Sequence, residues 1–159
     1  MEDAADIYHS KMMQAMTDAM AKIPLFDPMD EEDVKTIARY MFFLEFKAGD
    51  VVFHEGDRGD YVCFVVDGEL EVYKVSKNGD LAPITRLTNG ESIGEMSVVD
   101  DFPRSASVRA LRKTKVLTLT HANFDNLVEN HPKVGNKLLK GIARALSMNL
   151  RKASCKIAG

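Results

Sequence analysis

Residues 93–108 read Ile93-Gly94-Glu95-Met96-Ser97-Val98-Val99-Asp100-Asp101-Phe102-Pro103-Arg104-Ser105-Ala106-Ser107-Val108, a Gly-Glu pair and an Arg-Ser-Ala triplet with one short apolar turn between them. Gly94 has no Cβ, so a backbone or a ligand can approach it closely. Glu95 is an acceptor-only carboxylate, suited to a sugar hydroxyl. Arg104 offers a fixed fork of donors that matches a phosphate bidentately. Met96 to Asp101 is predicted to form one helical turn whose free N–H groups face the same anion. Together these features fit a small phosphorylated nucleoside.

The stretch closely resembles the phosphate-binding cassette of cyclic nucleotide-binding domains, as in bacterial catabolite activator proteins and protein kinase A regulatory subunits. Ile93, Gly94, Glu95, Met96, Val98, Val99, Arg104, Ser105, Ala106 and Val108 occupy every position of that pattern. Upstream, Lys47-Ala-Gly-Asp-Val51, Glu55-Gly-Asp-Arg-Gly-Asp60 and the run from Tyr61 to Gly68 match as well. The resemblance extends over about residues 23–153. It implies a mainly β fold with flanking helices, an eight-stranded β-roll or jelly roll. Its domain plan is an N-terminal helical extension over 1–22, the binding domain over 23–153 and a tail over 154–159.

The residue pattern agrees independently. Between Phe42 and Leu119, short alternating or fully apolar runs are separated by glycine turns, the mark of a sandwich or barrel. Strands are predicted at Phe42–Phe46, Val51–His54, Tyr61–Asp67, Glu69–Ser76, Leu81–Leu87, Ser107–Ala110 and Lys115–Thr120. Asp67-Gly68, Asn78-Gly79 and Asn89-Gly90 read as hairpin signals. Helical spacing over 5–23 precedes this region, and Pro24 ends it. Asp30 with Asp33 forms a weak capping box for a second helix bearing Val34, Ile37, Ala38 and Met41. After the strands, one helix begins near Asn123, and a longer one runs from Lys133 to about Ala153. Lys133, Lys137, Lys140, Arg144, Arg151 and Lys152 read as its solvated face rather than an anion site.

The resemblance also assigns the site. Arg104 pairs with the exocyclic oxygens of a cyclic phosphate, and Ser105 Oγ with nearby backbone N–H groups, including that of Ala106, completes the cradle beside Gly94. Glu95 accepts the ribose 2′-hydroxyl. Val72, Ile84, Leu87, Ile93 and Met96 form apolar walls, although Val72 and Ile84 fit plain core equally well. Asn149 falls where catabolite activators place a hydroxyl residue that meets adenine; an exposed helix residue is the other reading. No aromatic follows Phe124, so the stacking lid of some regulatory subunits is absent, and closure falls to Met148, Leu150 or Arg151. Ser105, where cyclic GMP binders often carry threonine, favours cyclic AMP as the ligand over cyclic GMP.

Composition narrows the alternatives. The chain has 159 residues, 45% hydrophobic and 28% charged, with a formal net charge of −3. That acidic balance argues against a nucleic-acid partner, and a DNA-reading domain after the last helix is not expected. No window suggests a membrane span. The acidic N-terminus and two isolated cysteines predict a cytoplasmic protein. His9, His54, His121 and His131 are scattered, so neither a metal centre nor an enzyme of the cupin type is expected. The expectation is a cyclic nucleotide sensor acting on an unknown downstream protein. A degenerate interaction module of the same fold is the alternative. Val134, Leu138, Ile142, Ala145 and Leu146 form a wide stripe, which predicts a homodimer through the last helix unless the roll itself uses that stripe.

Overall fold

The structure, a computed structural model, describes residues 3–158, with side chains described through Cys155. Its elements are α1 (Ala4–Met20), α2 (Glu31–Ala38), β1 (Phe42–Phe46), β2 (Val51–Phe53), β3 (Tyr61–Asp67), β4 (Glu69–Val75), β5 (Leu81–Thr88), β6 (Ser92–Ile93), β7 (Ser107–Ala110), β8 (Thr114–Thr120), α3 (His121–Asn130) and α4 (Pro132–Ala158). The strands form two antiparallel four-stranded sheets, ordered β1-β8-β3-β6 and β2-β7-β4-β5. The eight-stranded roll with flanking helices is the observed architecture.

Consecutive strands mostly change sheet. Of the glycine turns read as hairpins, Asn78-Gly79 joins paired strands, with Val75 opposite Leu81. Asp67-Gly68 instead carries the chain from one sheet to the other. Gly68 has φ +143°, and a Cβ there would come within 2.6 Å of the Thr114 Cα, so the crossover needs glycine for space as well as conformation.

Strand β3 explains why its sequence is apolar without alternation. Val62 and Phe64 face one core, packed with Met20, Ile23, Ile37, Leu117, Leu127, Leu138 and Ile142 under the helices. Cys63 and Val65 face the other, inside the roll with Leu70, Val72, Val108 and Val116. Period-2 geometry thus supplies two different cores from one strand.

The helices follow local signals. Helix α1 stops at Met20, short of the expected residue 23, because Ile23 precedes Pro24 and takes an extended conformation. The Asp30–Asp33 capping box is complete, with Asp33 N donating to Asp30 Oδ1 at 2.8 Å and Asp30 N to Asp33 Oδ2 at 3.3 Å. Lys137 is not simply solvated: its Nζ lies 2.7 Å from Asp33 Oδ2, tying α4 to α2. That hydrogen bond holds the Asp33 carboxyl below its ordinary pKa. On α4, Leu138 and Ile142 are buried in the chain's own core, and Val134 and Leu146 pack against it. The stripe that suggested a dimer is therefore largely spent at home. No helix among the described residues is long and apolar enough to cross a membrane.

Candidate functional site

The segment between β6 and β7 lies at the mouth of the roll, facing α4. Gly94 adopts φ +87°, which reverses the chain out of β6 and starts a 3₁₀ turn at Glu95–Val98. This turn is earlier and shorter than the expected Met96–Asp101 helix. The N–H groups of Ser97, Val99 and Asp100 donate to Gly94 or Met96 carbonyls, so they are not free to face an anion. A Cβ on Gly94 would overlap the Arg104 guanidinium and lie 2.9 Å from the Tyr61 carbonyl oxygen.

Arg104 is held from several sides. Its backbone N donates to the Asp57 carbonyl at 2.7 Å, and its own carbonyl accepts from Gly56 N at 2.8 Å. Arg104 as a whole is 7% exposed. Nη1 donates to Ser97 Oγ at 2.8 Å and Nη2 to the Tyr61 carbonyl at 2.6 Å. Its Cζ stands 3.9 Å from the centroid of the Phe53 ring and 4.9 Å from that of Tyr61. Among the described residues, buried Nε has no hydrogen-bond partner. Burial pulls the pKa of this group below its ordinary value, which leaves it a cation at neutral pH. Among the described residues no carboxylate forms an ion pair with Arg104, so a buried charge stands with neutral acceptors alone. Such a charge is costly and is compensated most directly by an anion.

Glu95 is also buried, at 5% exposure, and accepts a short hydrogen bond from Ser92 Oγ. No other hydrogen bond reaches its carboxylate among the described residues. Tyr61, below Arg104, donates its hydroxyl to the Val52 carbonyl at 3.1 Å, and burial pushes its pKa up to about 12.

Two adjoining cavities meet at Glu95, Ile93 and Asn149. One, of about 620 Å³, is walled by Val72, Ile93, Gly94, Glu95, Met96, Arg104, Ser105, Ala106 and Asn149. The other, of about 670 Å³, holds Ile84 and Leu87 with Ile93, Glu95 and Asn149. The structure thus gathers nine of the eleven sequence-predicted site residues around the first cavity and puts Ile84 and Leu87 in the second. Ile84 is 52% exposed, so it is not roll core; Val72, at 6%, is. Asn149 is an exposed helix residue and a wall of both cavities at once. Arg144 and Lys152, read as solvated, line the second cavity.

Phe53, Phe102 and Leu146 also line the first cavity without having been expected there, and Leu150, expected only for closure, lines it too. Phe53 lies 55 residues before Val108 in the sequence, and β2–β7 pairing sets the two opposite each other. Phe102 had a usable signal, being an aromatic two residues before Arg104. Among the described residues no three His, Cys, Asp or Glu side chains group as a metal site.

The model of the cyclic nucleotide-binding domain matches residues 43–131, more than half of the chain, and the chain belongs to that family. A crystal structure of a cyclic nucleotide-binding domain from Methylobacillus flagellatus KT superposes with a TM-score of 0.80 at 32% identity, covering 93% of this chain and 83% of that one. The Thermus thermophilus catabolite activator protein gives 0.73 at 27% identity, over 85% of this chain and 62% of that one. A lysophospholipase, NTE1, of Chaetomium globosum is 34% identical over 101 residues, which is 64% of this chain and 7% of that protein. The chain therefore spans about 7% of the length of the curated relatives it matches.

Proposed function

We propose that this domain is a regulatory, non-catalytic module that binds cyclic AMP in preference to cyclic GMP. The cyclic phosphate sits at Arg104 and the ribose 2′-hydroxyl at Glu95. The observation that carries this reading is the buried, carboxylate-free Arg104 guanidinium in the wall of a cavity that also holds Glu95. On binding, Arg104 exchanges neutral acceptors for an anion. Ser105 and Ala106 complete the cradle beside Gly94, and Val72, Ile93 and Met96 contact the sugar and base. Asn149, at the junction of the cavities, meets the base, with Ile84 and Leu87 beyond it.

The ligand acts by population shift. It favours the arrangement in which the cassette turn and α4 approach each other, by no more than its differential affinity for the two states. A receiver of that signal is required, and a cytoplasmic setting agrees with the isolated cysteines Cys63 and Cys155. On α4, Leu139, Met148 and Leu150 stay exposed and offer apolar surface to a pairing of two copies.

A thermal scan tests the reading. At a cyclic AMP concentration about a hundredfold over Kd, linkage adds about 2.7 kcal/mol, a rise in Tm of about 5–10 °C for a domain of this size. An unmoved Tm with millimolar cyclic AMP and cyclic GMP would sink it and favour an interaction module with an unused cavity.

Glu95→Gln makes a finer check. The amide keeps the shape and one acceptor, so cyclic AMP binding should weaken by about 0.5–1.5 kcal/mol. Binding of 2′-deoxy cyclic AMP, which lacks the hydroxyl, should hardly change. Equal losses for both nucleotides would remove the ribose role from Glu95.

A further inference from the structure

Phe102 is 75% exposed, more than any other large apolar side chain among the described residues. It stands in the wall of the cavity that holds Arg104 and Glu95. Met96, 55% exposed, and Leu150, 69% exposed, flank the same cavity from the 3₁₀ turn and from α4. Apolar surface of this size left in water at the rim of a cavity is favourably covered by whatever fills that cavity.

The backbone around Phe102 is anchored on both sides. Its N–H donates to Asp100 Oδ1 at 3.2 Å. Pro103 makes a β-bridge with Arg58, and Arg104 N donates to the Asp57 carbonyl at 2.7 Å. In extended backbone, side chains two residues apart point to the same side. Phe102 and Arg104, on either side of the bridged Pro103, both line this cavity. A ligand whose phosphate meets Arg104 comes within reach of the Phe102 ring.

We infer that Phe102 is the aromatic cover of the bound nucleotide, closing over its sugar–phosphate end and packing against Leu150 and Met96. This rests on the binding function proposed above. The cover is delivered by the cassette itself, where the absence of any aromatic after Phe124 leaves α4 none to offer. Because the ring lies at the phosphate end, it contributes to residence time and not to the choice between adenine and guanine.

The chain contains no tryptophan, so Phe102→Trp creates a single reporter. Adding cyclic AMP should shift its emission to shorter wavelength as the ring leaves water. Phe102→Ala should raise the Kd of cyclic AMP and of cyclic GMP by about the same factor, roughly tenfold, mainly through faster dissociation. Calorimetric binding by the wild type with an unmoved tryptophan spectrum and an unchanged Kd in Phe102→Ala would overturn the cover while leaving the binding function intact. A wild-type protein that binds neither nucleotide overturns both.

Discussion

Arg104→Lys is expected to weaken cyclic AMP binding by about 1.5–3 kcal/mol, roughly 10- to 150-fold in Kd. The charge survives but the planar fork does not, and a lysine ammonium cannot bind two phosphate oxygens in parallel. The ligand-free protein is affected too. It loses the pair of bonds to Ser97 Oγ and the Tyr61 carbonyl, as well as the guanidinium stacked 3.9 Å from the Phe53 centroid. A modest drop in Tm should therefore accompany the loss of affinity. Titration calorimetry on a variant whose melting remains cooperative separates the two effects. Wild-type affinity in Arg104→Lys would mean that the phosphate lies elsewhere.

Gly94→Ala should be more damaging. The residue sits at φ +87°, where an L side chain costs about 1–2 kcal/mol. The added methyl would also overlap the Arg104 guanidinium and press on the Tyr61 carbonyl oxygen, 2.9 Å away. Overpacking of this kind costs a further 1–3 kcal/mol or so. A total of about 2–5 kcal/mol corresponds to a fall in Tm of about 4–20 °C, and displacement of Arg104 should reduce binding with it. Alanine at Gly79 makes the control: it has similar positive φ with nothing within 4 Å, so it carries the backbone penalty without touching the site. Equal losses at the two positions would show that Gly94 matters only as a turn.

These expectations depend on packing that the sequence states unevenly. Strands β1 and β3 were legible to the residue because their apolar runs end at Lys47 and at the Asp67-Gly68 crossover. Strand β6 was missed, since Ser92–Ile93 is too short to show alternation and is fixed by pairing with Cys63 and Phe64. Helix α3 begins at His121, two residues before the expected Asn123, because the Thr120 hydroxyl accepts from Asn123 N at 3.0 Å. That cap was readable as a threonine ahead of a helical run. Helix α4 passes Ala153 to reach Ala158, as no glycine or proline interrupts Arg151–Ala158.

The site divides in the same way. Glu95 and Arg104 were legible because their chemistry and spacing are local. Arg104's inward stack on Phe53 was not, because β2 meets β7 only in the folded roll. Ile84 was placed correctly in the chain but not in depth, since β5 is the edge of its sheet and leaves that side chain largely in water.

Titration calorimetry of one purified sample with cyclic AMP, cyclic GMP and AMP tests the central claim most directly. The proposed site predicts cyclic AMP binding at one site per chain with a Kd on the order of micromolar or tighter, weaker binding of cyclic GMP, and much weaker binding of AMP, whose phosphate is not tied to the 3′ oxygen. No heat from either cyclic nucleotide, or AMP binding as tightly as cyclic AMP, would contradict it.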